Sequence, residues 1–165
     1  MSKLFFEIVG DVTFEIQIAE THDSALFFEV TAKGAKGAIA ALNTLEFGLS
    51  SVADLGSVFV ESPMIAAKVH TKDEDGQLDG PFDIGIAFDA DGMADLASDS
   101  ICFMLRHKTD ALKVDAVYEQ SFGVRTNANA IPEPQSHPDL VEETVFMKAA
   151  DLWGKTSKTV SSFAA

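Results

Sequence analysis

The chain has 165 residues, 47% of them hydrophobic, which suits one compact domain with a sizeable core. Its 26 acidic residues against 12 basic ones give a net charge of −14, so phosphate backbones and anionic membrane surfaces repel it, and nucleic-acid binding is the function class least served. Cys102 is the single cysteine, which excludes an intrachain disulfide, and no apolar run approaches the roughly 20 residues of a membrane helix.

Residues 1–10 carry one lysine and a short apolar run broken by Glu7, too short for the core of a cleaved export signal. The expectation is a chain that does not insert into membranes, either cytoplasmic or exported by a route that does not read the N-terminus. Residues 4–8 alternate loosely. In residues 12–18, Val12, Phe14, Ile16 and Ile18 face one way and Thr13, Glu15 and Gln17 the other, the pattern of a strand with one buried and one wet face. Further strands are predicted over residues 25–30, 57–60, 65–69, 82–88, 100–106, 112–117 and 122–126. Residues 100–105 read as apolar on both faces, a central strand in which Cys102 packs as a small buried hydrophobe. Residues 38–42 read as a short helical turn or a crossing loop.

Many short strands separated by Asp, Gly and Asn turns predict an all-β antiparallel sandwich, jelly-roll-like, with most of the 13 phenylalanines between its sheets; a barrel is the competing closure. The sandwich domain spans residues 1–130 and a proline-rich linker 131–138. From residue 139 the period changes. Leu140, Val141, Val145, Ala149, Leu152 and Trp153 form a stripe, with Pro138 before it and Gly154 after it, which predicts a C-terminal α-helix and a flexible tail to residue 165.

Two segments, residues 73–79 and 89–95, share the pattern D-x-D-G-x-x-D. Clustered carboxylates around a sharp glycine turn suit a hard cation that takes several oxygen ligands, so Asp73, Asp75, Asp79, Asp89, Asp91 and Asp95 are candidate Ca2+ ligands. Neither copy is a full EF-hand loop, and two acidic turns closing a hairpin are the alternative. His70 and His107 end predicted strands and could meet at one end of the sandwich as a metal or base candidate. No nucleophile elbow, P-loop or dinucleotide fingerprint occurs, so no catalytic residue is assigned.

The stretches 81–86 (PFDIGI), 103–107 (FMLRH), 112–115 (LKVD) and 120–125 (QSFGVR), with 25–30 (ALFFEV) upstream, occur in the order found in a β-rich module of large calcium-dependent secreted proteins of the RTX and adhesin type, mostly from marine bacteria. The chain resembles that module over roughly residues 10–130. It departs from the pattern at Arg106, where the module has serine, and at residues 89–92, where its loop is glycine-rich. The resemblance implies a calcium-dependent setting, with secretion or surface attachment through a non-cleaved C-terminal signal. The expected function is a non-enzymatic binding or structural module, calcium-stabilised, with a carbohydrate or protein ligand. A carbohydrate-active hydrolase or lyase and a small-molecule carrier are the alternatives. Edge strands also allow a symmetric homodimer.

Overall fold

The computed structural model describes residues 2–72, 78 and 81–127, together with the backbone of 142–148. The strands are β1 (Lys3–Ile8), β2 (Thr13–Glu20), β3 (Leu26–Lys33), β4 (Leu42–Phe47), β5 (Val58–Glu61), β6 (Ala67–Thr71), β7 (Ile84–Phe88), β8 (Ser100–His107), β9 (Ser121–Asn127) and β10 (Glu142–Lys148). Two short α-helices, α1 (Ala90–Ala94) and α2 (Asp115–Tyr118), and two 3-10 turns, Ala38–Ala41 and Leu55–Ser57, lie between them. The first sheet has the order β1-β2-β3-β8-β5 and the second β10-β9-β4-β7-β6, and the strand pairings are antiparallel. The expected all-β sandwich is what forms. β3 pairs with β8 in one sheet and β4 with β7 in the other, so this ribbon of strands crosses between sheets as the winding of a jelly roll does.

Period-2 patterning sets the layers. Along β2 the residues Phe14, Ile16 and Ile18 are wholly buried, while Thr13, Glu15 and Gln17 between them are half-buried on the outer face. The core is a row of phenyl rings contributed by both sheets. Phe6 of β1 meets Phe122 of β9 at 4.6 Å, Phe122 meets Phe47 of β4 at 5.2 Å, and Phe47 meets Phe28 of β3 at 5.4 Å. Phe28 stacks on Phe103 of β8 at 4.9 Å, and Phe103 meets Phe88 of β7 at 5.7 Å. These are offset and tilted contacts, worth more than the area they bury alone.

Three expectations are corrected. Residues 142–148 are not helical; they form β10, paired along its length with β9. The segment that carries this stripe also contains Thr144, Val145 and Phe146, strand-forming types, and the open edge of β9 supplies a hydrogen-bonding partner that outweighs local propensity. The linker 131–138, the start of the expected helix at 139 and the tail beyond 150 lie outside the described residues. Residues 112–117 are not a strand either. They carry the chain from the first sheet to the second and end in α2, with Leu112, Val114 and Val117 buried. Third, Cys102 is not buried: Ile101 and Phe103 take the inner positions of β8, which leaves Cys102 half-buried on the outer face.

Candidate functional site

The second sheet is covered around the middle of its outer side. Leu45 and Phe47 of β4 point inward, so Thr44 and Glu46 point outward, yet Glu46 is 0% exposed and Thr44 8%. Glu46 has a glycine on each side in register, Gly85 of β7 and Gly123 of β9. A Cβ on Gly85 would stand 2.6 Å from Leu78 Cδ2 and 3.4 Å from Glu46 Cγ, so Leu78 lies over that glycine. Arg125, one step along β9, holds its Nε 2.7 Å from Glu46 Oε1 with only 16% of its side chain exposed. Asp83 ties β7 to its neighbours in the chain. Its Oδ1 pairs with Lys72 Nζ at 2.9 Å and its Oδ2 accepts from Leu49 N at 2.8 Å. Asp83, Gly85, Gly123 and Arg125 belong to the stretches PFDIGI and QSFGVR, and their geometry gives them a structural role.

The first sheet presents an open outer face, built by strict alternation over four strands. One transverse row reads Phe5, Gln17, Glu29 and Cys102 in register. The next reads Glu7, Glu15, Thr31 and Ser100. Phe5, Glu15, Gln17, Glu29 and Thr31 are all half-buried and line a shallow depression of ≈ 160 Å³. Lys33 Nζ lies between Glu15 Oε1 at 2.6 Å and Glu7 Oε1 at 2.9 Å, and these carboxylates hold its ammonium above the usual lysine range. Thr31 donates to Ser100 Oγ at 3.0 Å, and Ser100 reaches Glu29 Oε1 at 3.5 Å. Arg106 bridges Glu61 at 2.7 Å and Asp23 at 2.6 Å. Among the described acids of this face, Glu29 is therefore the one outside an ion pair. Its register neighbour Gln17 has an uncommitted amide. Burial, then the negative charge of Glu29, pushes the Cys102 thiol up, which disfavours the thiolate a nucleophile needs.

The candidate cation ligands divide. Asp73, Asp75 and Asp79 lie outside the described residues. Asp89, Asp91 and Asp95 fall on one turn of helix, where Asp89 Oδ2 caps α1 by accepting from Gly92 N at 2.9 Å, Asp91 sits in the first turn, and Asp95 closes the end. Among the described residues no three His, Cys, Asp or Glu side chains converge to hold a metal ion.

His70 and His107 do not share a site. His70 stands beside Gly85 on the outer side of the second sheet, whereas His107, at the end of β8 in the first, has a side chain only 1% exposed. Its Nε2 lies 2.9 Å from the Asp54 carbonyl, which can only accept, and its Nδ1 receives Asp110 N at 3.0 Å and Thr109 N at 3.2 Å. This geometry assigns the proton to Nε2 and leaves no lone pair for a metal or for base chemistry.

A larger hollow of ≈ 370 Å³ lies between the start of β1 and α2, lined by Ser2, Lys3, Val114, Asp115 and Tyr118, with Lys3 and Asp115 exposed at its rim. Sequence reading did not single out Phe5, Gln17 or Glu29. Their signal was the wet half of an alternating strand, but which outward residues share a row depends on strand order. No family model, curated protein or solved structure matches this chain.

Proposed function

We propose that this chain is a non-enzymatic binding module whose working surface is the outer face of the first sheet. The observation that carries the reading is the adjacent pair Gln17 and Glu29. Both are half-buried and uncommitted apart from the long contact from Ser100, and they sit in a depression walled by the Phe5 ring. Two-carboxylate hydrolysis is less well served, because Glu7 and Glu15 are tied to Lys33 and Glu61 to Arg106. The carrier reading is also less well served, since the phenylalanine row occupies the space between the sheets.

A fragment screen followed by amide NMR shifts tests this reading. Hits are expected to cluster at Phe5, Gln17, Glu29 and Thr31. Hits confined to the second sheet, or none at all, would overturn it. Calcium and an exported setting belong to the same proposal through the paired acidic turns and the resemblance. Millimolar Ca2+ is expected to raise Tm, and Asp75→Asn with Asp91→Asn to remove the rise. An unchanged melting curve eliminates calcium and leaves the binding face standing.

A further inference from the structure

We infer that the apolar half of the first sheet's outer face is where two copies of this chain meet, face to face across a two-fold axis along β3. The inference goes beyond the ligand reading above and does not depend on it. One further transverse row crosses all five strands of that sheet: Lys3, Ala19, Phe27, Met104 and Glu61. Alternation puts these side chains on the outer side, since Leu4, Ile18, Leu26, Phe28, Phe103 and Leu105 beside them are buried in the core. Phe27 and Met104 are half-buried, as are Cys102 and Phe59 in the adjoining rows. None of the described ring contacts involves Phe27 or Phe59.

The row is self-complementary. β3 is the middle strand of five, so Lys3 and Glu61 stand at equal distances from Phe27, roughly 10 Å at two strand spacings. A two-fold axis along β3 above Phe27 reverses the row in the second copy. Each Lys3 then meets Glu61 of the other copy, each Met104 lies over the small Ala19, and Phe27 packs on Phe27. Aligned stacking of two sheets about 10 Å apart has this geometry. Lys3 enters none of the described ion pairs, and Glu61 gives Arg106 only its Oε2 and is 55% exposed, which leaves Oε1 for a second cation. These opposite charges commit the patch to a second copy, because a partner of one sign would satisfy one end of the row and be repelled at the other. The same axis sets Glu29 against Glu29 of the other copy, one repulsive pair on the adjoining row.

The test is sedimentation equilibrium of the full chain over a wide range of concentration. Each copy carries a net charge of −14, so the run is made at about 150 mM salt, where the Debye length is about 8 Å. A reversible dimer is expected. Phe27→Glu should raise its Kd about ten-fold or more, since it buries a charge at the centre of the patch. Lys3→Glu and Glu61→Lys should each weaken the dimer several-fold. An equimolar mixture of those two variants should recover it as a heterodimer, because both end contacts then join opposite charges. Glu29→Gln should tighten it by removing the repulsive pair. The mixing experiment changes only exposed side chains, so it decides the question even where Phe27→Glu lowers Tm. A chain that stays monomeric at every concentration would overturn the inference. So would a dimer indifferent to Phe27→Glu and to the charge exchange. Either result leaves the ligand reading to its own fragment screen.

Discussion

The two sheets of this sandwich handle their outer faces in opposite ways. On the second sheet, Glu46 stands between two glycines, Leu78 lies over Gly85, and the Arg125 side chain sits against the Glu46 carboxylate. On the first sheet, the equivalent positions carry Phe5, Gln17, Glu29 and Thr31, and a depression remains open. Glycine beside a buried charge lets covering chain approach closely; full-sized polar side chains in register build a surface for something else to cover. The comparison teaches that a carboxylate's meaning lies in its cover. Glu46 is a structural residue because it is sealed with its cation, and Glu29 is a binding candidate because it is neither sealed nor paired.

The largest effect should come from breaking the sealed pair. Glu46→Gln removes a wholly buried carboxylate 2.7 Å from the Arg125 guanidinium and is expected to cost about 3 kcal/mol in denaturant unfolding. Glu29→Gln on the open face should change stability by less than about 0.5 kcal/mol. Equal costs for the two substitutions would erase the distinction between the faces. Replacing both partners, as Glu46→Leu with Arg125→Met, should recover much of the loss, since two apolar side chains carry no desolvated charge.

A middle-sized effect is expected from adding volume. Gly85→Val must push Leu78 off the sheet, for roughly 1–2 kcal/mol, whereas Gln17→Val on the open face should be close to neutral. A harmless Gly85→Val would show that Leu78 gives way freely and that the cover is loose.

The smallest effect concerns the rim of the open face. The Thr21 hydroxyl, then Arg106, holds the Asp23 carboxyl below its ordinary value of 3.8. A carboxyl lowered in the folded state stabilises the protein above its unfolded value, and the contribution fades as pH falls through the folded one. The Tm difference between wild type and Arg106→Met should therefore be present at neutral pH and shrink below about pH 3.8. A gap that persists into strong acid would assign the role of Arg106 to packing of its stem.

Much of the architecture was legible along the chain. The alternation in β2 and the Asp/Gly turns sufficed for an antiparallel sandwich with phenylalanines inside. The strand β4 was not legible. Its sequence LNTLEF has no clean alternation, because Glu46 and Thr44 are buried by cover on the outer side. Cys102 was misplaced for the converse reason: an apolar run suggested two buried faces where β8 has one. The paired acidic turns drew the eye to calcium, while the described copy is a capped turn of helix.

By itself, the sequence determined which side chains point to each face of a strand, since successive residues of an extended chain must alternate and apolar ones gain by leaving water. Only the tertiary structure decided which strands lie side by side, and so that Phe5, Gln17 and Glu29 form one row and that β9 recruits residues 142–148 as a strand. Those choices depend on long-range pairing and on what covers each outer face, and neither is written in the spacing of nearby residues.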